Sequence, residues 1–221
     1  MTTLTSYPFA ILLNRLFDDA EKLSPAASPA FAHVSAAERE RLMRSKTDYR
    51  EFYGHLKDFP LAVSRETGTL LYMLARSTGA RNIVEFGTSF GISTLHLAAA
   101  LRDNGGGRLI TSEFEPSKVA RARDNLTDAG LIDLVEIREG DALQTLSVDL
   151  PDTVDLLLLD GAKALYPEVL ALVESRLRAG AFIVADNADD SLDYLARVRS
   201  PAAGYLSVPF AEDVELSMRT G

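Results

Sequence analysis

The chain contains no cysteine. That absence removes disulfides, thiolate zinc sites, iron–sulfur clusters and a cysteine nucleophile together, and it fits a cytoplasmic protein. Tryptophan is also missing, and positive charge is scarce: 23 Lys and Arg face 32 Asp and Glu, a net charge of −9. Proteins that follow nucleic-acid phosphates or an anionic membrane need clustered Lys and Arg, so neither nucleic acid nor membrane is an expected partner. Small molecules or proteins fit better. No stretch approaches the roughly 20 apolar residues that span a bilayer, and the N-terminus has no basic region followed by an unbroken apolar run of the kind that directs export.

With 221 residues, 47% of them hydrophobic, the chain can bury one large core, and no second large domain is required. From Tyr7 to Leu23 the residues Phe9, Ile11, Leu12, Leu13, Leu16, Phe17 and Ala20 recur at helical spacing, the pattern of an amphipathic helix. Ser24 to Ala32 reads as a Pro, Ser and Ala linker. Ser35 then opens a charged helix, with Glu38 placed to complete a capping box. Residues 1–60 form a helical annex in this reading, serving either as packing and dimer contact or as a lid over a ligand site. Tyr49, Phe52 and Tyr53 fit core at helical spacing, and in a lid they would cover an aromatic acceptor.

Past Pro60 strands alternate with helices. The expected order is helix Ser64–Thr78, strand Asn82–Phe86, helix Ile92–Arg102, strand Arg108–Ser112, helix Pro116–Ala129, strand Leu134–Arg138, strand Val154–Leu159, helix Pro167–Arg178 and strand Ala181–Ala185. Val154–Leu159 is apolar enough to be covered on both faces. Two short alternating segments, Tyr205–Val208 and Val214–Arg219, read as an antiparallel hairpin appended to the sheet. The fold class is α/β: residues 61–221 form a doubly wound, mostly parallel seven-stranded sheet flanked by helices.

Ile83 to Ser93 (IVEFGTSFGIS) is a strand, a glycine turn and a helix start. Ser89 stands where the dinucleotide pattern G-x-G-x-x-G has its second glycine, which disfavours a pyrophosphate guest. Glu113 ends the next strand, where an acid accepts hydrogen bonds from ribose hydroxyls, and Gly140-Asp141-Ala142 ends the third. Together these fit a nucleoside without bridging phosphates, although the glycine turn alone would suit a merely structural connection.

A second constellation closes the fourth and fifth strands: Asp160-Gly161-Ala162-Lys163-Ala164-Leu165-Tyr166 and Asp186-Asn187. Adjacent parallel strands end side by side, so Asp160, Asp186 and Asn187 can converge as a hard oxygen donor set, suited to Mg²⁺ and poorly suited to Zn²⁺. The alternative is that they are strand-end turn residues and caps. Lys163 beside a divalent cation would lose its proton more readily and could act as general base; otherwise it is a solvated surface lysine. His96 reads as packed or solvent-facing, while nothing supports a role for His33 or His55.

On these motifs residues 61–219 resemble a class I S-adenosylmethionine-dependent methyltransferase, within it the small metal-dependent O-methyltransferases related to catechol and caffeoyl-CoA O-methyltransferase. Their pattern Asp-x-x-Lys-x-x-Tyr followed by Asp-Asn is present at full spacing. The resemblance implies S-adenosylmethionine bound by Ser64, Glu85, Gly87, Ser89, Ser93, Glu113, Asp141, Ala142 and Asp160, with Glu113 on the ribose and Asp141 and Ala142 at the adenine. It implies Mg²⁺, or Mn²⁺ or Ca²⁺, on Asp160, Asp186 and Asn187, with Lys163 and Asp160 catalytic. A small acceptor with adjacent oxygens, and a homodimer, follow by the same resemblance. The chain departs from these relatives where they carry a tyrosine pair in the first turn (here Ser89 and Ile92), a tryptophan after Asp-Asn (here Ala188-Asp189-Asp190) and a glycine in the tail loop (here Asp213). A wall of Asp189, Asp190, Glu212 and Asp213 would disfavour an anionic acceptor. Rival readings are a metal-independent O- or N-methyltransferase, a nucleotide-linked oxidoreductase and a non-enzymatic cofactor-binding partner.

Overall fold

Val154–Leu159 (β4) carries apolar side chains at every position but Asp155, and in the computed structural model it lies in the middle of the sheet, with Leu156 to Leu159 fully buried. The structure describes residues 2–23, 25, 28–211 and 213–221; Ser24, Ala26 and Ala27 of the expected linker, and Glu212, lie outside them. On one side of β4 run Asn82–Phe86 (β1), Arg108–Glu113 (β2) and Val135–Glu139 (β3), and on the other Leu177–Ala185 (β5), Tyr205–Phe210 (β6) and Val214–Arg219 (β7). The order is β3-β2-β1-β4-β5-β7-β6. Strands β1 to β5 pair in parallel, whereas β7 is antiparallel to both β5 and β6. The doubly wound sheet with its appended hairpin is the expected architecture. Between β1 and β4 the winding reverses, and such a switch point opens a crevice at the strands' carboxyl ends.

Helices cover both faces: Arg65–Ser77 (α4), Ile92–Asp103 (α5), Pro116–Asp128 (α6), Ala142–Thr145 (α7), Tyr166–Val173 (α8) and Leu192–Val198 (α9). Residues 92–101 of α5 are all buried, because this helix is sandwiched between the sheet and the annex. His96 on α5 is packed, its Nδ1 2.8 Å from the Ile92 carbonyl oxygen, and burial lowers its pKa to about 4. The annex comprises Phe9–Glu21 (α1), Ala36–Arg44 (α2) and Tyr49–Gly54 (α3). Phe9, Leu13 and Phe17, four residues apart, form the buried stripe of α1, while Ile11 on its outer face is 58% exposed. Ser35 caps α2 by accepting the Glu38 N–H, but the Glu38 carboxylate turns to Arg41, so the reciprocal half of the capping box is replaced by an ion pair.

Two local expectations are corrected. The helix expected over Pro167–Arg178 ends at Val173, and β5 begins at Leu177, passing through Ala179-Gly180 with a register shift against β4 between Val154 and Leu156. Pairing with β4 outweighs the local glycine signal there. The short helices α7 and α9 lie in stretches that carried no assignment.

Asp155 fastens the amino ends of the strands. Its Oδ2 accepts the Arg81 and Asn82 N–H groups at 2.8 and 2.9 Å, and its Oδ1 accepts Arg178 Nε at 2.6 Å. Burial alone would raise its pKa, but these donors hold it below the ordinary value. Replacing Asp155 by Ala is expected to cost about 1–2 kcal/mol in urea unfolding. A depressed folded pKa stabilises above the unfolded value of about 4 and is lost below it, so the gap between wild type and Asp155→Ala narrows as the pH falls below about 4. A gap independent of pH would contradict this account.

Candidate functional site

The carboxyl ends of β1, β4 and β5 are stitched together beyond the last strand residues. Asp160 N–H donates to the Phe86 oxygen at 2.8 Å, and Asp186 N–H donates to the Leu159 oxygen at 2.9 Å. Gly87 sits where this is tightest, with φ +101 and room for no side chain: a Cβ there would fall 2.4 Å from the Asp160 carbonyl oxygen. Only glycine meets both demands.

Above β1 the turn is strained. Ser89 adopts φ +48, a left-handed conformation that persists only when the surroundings hold it. Its Oγ accepts the Leu61 N–H at 3.1 Å and lies 3.4 Å from Lys118 Nζ, while its own N–H donates to Glu113 Oε2 at 2.9 Å. Glu113 also accepts the Glu115 N–H at 3.0 Å. Burial pushes its pKa up against the pull of those N–H groups and of Lys118. Glu85 lies beneath the turn, fully buried, accepting Ser93 Oγ and Thr94 Oγ1 at 2.6 Å each. Burial pushes it up to about 7, with the hydroxyl donors working the other way. Asp141 caps α7 through the Leu143 N–H and meets Arg50 of α3 at 2.6 Å.

At the β4 and β5 ends, Lys163 Nζ donates to Asp160 Oδ1 at 2.9 Å, both side chains nearly buried. Burial works against the lysine's charge, yet Tyr166, Asp160, Tyr53 and Asp186 hold its pKa well above the ordinary range. Asp186, buried and facing Asp160, is pushed up to about 8. Tyr166 donates to the Asp186 carbonyl oxygen at 2.7 Å. Asn187, with φ +47, donates its amide nitrogen to Asp213 Oδ2 at 2.8 Å, which leaves the amide oxygen for another partner. Among the described residues no cluster of three or more His, Cys, Asp or Glu is placed to hold a metal. The donor set is two carboxylates and one amide oxygen. These fit a hard divalent cation: burial and the facing carboxylates of Asp160 and Asp213 disfavour the charged form of Asp186 against the pull of Lys163, and a cation held there would offset that excess of negative charge.

Two cavities open on this edge. A narrow cleft is lined by Gly87, Ser89, Glu113, Gly140, Ala142 and Asp160, and is closed over by Tyr49 of α3. A larger cavity of about 650 Å³ is lined by Ser64, Asp160, Lys163, Asp186 and Asn187, facing apolar residues of the annex such as Phe17 and Phe52. The expected cofactor residues are therefore divided. Gly87, Ser89, Glu113, Ala142 and Asp160 share the cleft; Ser64 lies in the larger cavity, its Oγ occupied in capping α4 through the Thr67 N–H. Glu85, Ser93 and Asp141 line neither, and nor do His33 and His55. Of the acidic wall, Asp190 borders the larger cavity and Asp213 stands behind Asn187, while Asp189 points away into solvent. Lys118 and Arg50 carried no signal in sequence reading beyond their positions beside a strand end and on an annex helix.

Comparisons with known proteins place the chain beside methyltransferases. Residues 84–188 match the family described as a methyltransferase domain. A catechol O-methyltransferase of Niastella koreensis is 38% identical over 130 residues, 58% of this chain and 58% of that protein. The catechol O-methyltransferase of Mycobacterium tuberculosis is 37% identical over 127 residues, 58% of this chain and 57% of that protein. The solved structure of the O-methyltransferase TomG from Streptomyces achromogenes, in complex with S-adenosylmethionine, has a TM-score of 0.64 and 28% identity, covering 92% of this chain and 99% of that one. The chain spans less than two thirds of the length of the curated relatives it matches. The fold is the Rossmann-like methyltransferase fold, and the chain is similar over residues 84–188 to the methyltransferase domain and, over a longer span, to O-methyltransferases.

The Asp160–Asp186 pair makes stability depend on pH. An acid whose folded pKa stands at about 8 contributes stability that is complete below its unfolded value of about 4 and is lost as the pH rises through the folded one. In EDTA, unfolding by urea should show wild-type stability falling more steeply from about pH 4 to about pH 8 than that of Asp186→Asn. Parallel slopes would refute the paired-carboxylate assignment.

Proposed function

We propose that the chain is an S-adenosylmethionine-dependent O-methyltransferase that moves a methyl group to a hydroxyl of a small acceptor with adjacent oxygens, such as a catechol. One observation carries this: the nucleoside-type cleft and the cavity bearing the oxygen donors meet at Asp160, which lines both. When bound, S-adenosylmethionine supplies a methyl carbon on a sulfonium whose C–S electron pair leaves with sulfur as the acceptor oxygen forms its new C–O bond. Asp160, Asp186 and Asn187 would hold a divalent cation, which would supply a Lewis-acid hold on the acceptor's oxygens.

The chain's own residues divide the remaining work. Glu113 offers its carboxylate to the ribose hydroxyls, fixed by the Ser89 and Glu115 N–H groups. The strained turn presents Gly87 to the cleft, and buried Glu85 orders that turn from below through Ser93 and Thr94. Lys163 Nζ is the proton acceptor in this reading. Its ammonium is held by Asp160; a cation held by that carboxylate would weaken this pairing and, as a nearby like charge, would disfavour the lysine's charged form.

The cysteine-free sequence supports a cytoplasmic setting. Among the described residues no helix is long and apolar enough to cross a membrane. A homodimer is supported by Tyr7 and Ile11, 82% and 58% exposed at the start of α1. Metal-independent transfer is a second reading, favoured by the Lys163–Asp160 pair as it stands. Turnover with S-adenosylmethionine and catechol separates the two. The metal reading expects EDTA to abolish methylation and Lys163→Met to lower kcat by about 10²- to 10⁴-fold. Undiminished turnover in EDTA would leave only the metal-independent reading, and no turnover under any metal would remove catechol as acceptor.

A further inference from the structure

Helix α3 places two tyrosines four residues apart, hence on one face a single turn from each other. That face looks onto the carboxyl edge of the sheet. Tyr49, 6% exposed and edge-on to Phe114 at 6.3 Å, borders the nucleoside cleft alone. Tyr53, one turn on, borders both cavities. Its ring is braced edge-on by Phe52 at 5.1 Å. Only Leu61 and Asp160 share that double position among the described residues. Leu61 is itself anchored, its N–H given to Ser89 Oγ.

A methyl group passing from donor to acceptor has to cross the boundary between the two cavities. That boundary consists of one carboxylate, one aromatic ring and one aliphatic side chain. The donor's sulfur is cationic before transfer and a neutral thioether after it. A carboxylate and an aromatic face are the two kinds of group that favour a cation at close range. The two nearby lysines stand to either side of that boundary, Lys118 in the nucleoside cleft and Lys163 in the acceptor cavity, and neither borders both.

We propose that Tyr53, a residue of the annex, recognises the sulfonium of the methyl donor across from Asp160, so that the annex distinguishes charged donor from spent product. The inference rests on the methyltransferase reading above. It gives the two tyrosines different tasks: Tyr49 covers the nucleoside portion common to both molecules, and Tyr53 senses the charge that only one of them carries. It also makes α3 part of the binding site itself, fastened to the sheet edge by the Arg50–Asp141 ion pair.

Calorimetric titration with S-adenosylmethionine and S-adenosylhomocysteine tests this without any acceptor or metal. Tyr53→Leu is expected to shift the ratio of the two dissociation constants against the sulfonium by about three- to tenfold, while Tyr53→Phe keeps the wild-type ratio. Tyr49→Leu should weaken both ligands by a common factor. Tyr53→Met serves the same comparison if the leucine variant does not fold. An unchanged ratio in the non-aromatic variant, or equal weakening of both ligands, would overturn the proposal while leaving the methyltransferase reading in place. Failure of both ligands to bind the unaltered protein would overturn that reading and this inference together.

Discussion

Everything at this site depends on how closely β1 and β4 approach at their carboxyl ends. With a Cβ at Gly87 excluded by the Asp160 backbone at 2.4 Å, the glycine turn and the loop carrying Asp160 and Lys163 become one surface. The reversal of strand winding at this point opens the crevice, and the hydrogen bond from Asp160 to Phe86 fixes its floor. A larger residue at Gly87 would separate the nucleoside cleft from the carboxylates that serve the acceptor side.

The acidic excess of the chain takes on a location in this setting. Glu85, Glu113, Asp141, Asp160 and Asp186 all stand at or beside the strand ends, but they are not equivalent. Glu85 is sealed under the turn with hydroxyl donors, Glu113 is fixed by backbone N–H groups and faces the cleft, and Asp141 is engaged by Arg50. Asp160 and Asp186 are left facing each other with one lysine between them and solvent. Unequal compensation divides a general negative charge into chemically distinct positions, which the proposed function assigns to a sugar, a sulfonium and a hard cation.

Much of the sheet was legible because its strands obey simple rules. Asn82–Phe86 and Val154–Leu159 have the expected bounds, since a run of apolar residues ended by glycine or acid has few other solutions. The helix after Tyr166 was read too long because nothing local in Glu174 to Arg178 reveals that β4 will recruit Leu177 as a strand partner. Long-range pairing decided that boundary. Strand-end position singles out Glu113, Asp141, Asp160, Asp186 and Asn187, whereas Ser64 and Glu85 enter only through the family resemblance, and capping by Ser64 and the hydroxyl cradle around Glu85 emerge only in three dimensions. The role of α3 was hidden for the same reason. Tyr49 and Tyr53 at helical spacing suit a core or a lid equally, and only the fold shows which ring lies over which cavity.

The central claim is that Asp160 belongs to both halves of the site, a donor cleft and an oxygen-donor pocket joined at one carboxylate. The most direct measurement is a pair of calorimetric titrations, S-adenosylhomocysteine and Mg²⁺ separately, on wild type, Asp160→Ala and Asp186→Ala. Loss of affinity for both ligands in Asp160→Ala, and for Mg²⁺ alone in Asp186→Ala, is the expected result; an Asp160→Ala protein that loses only one of them would contradict the claim.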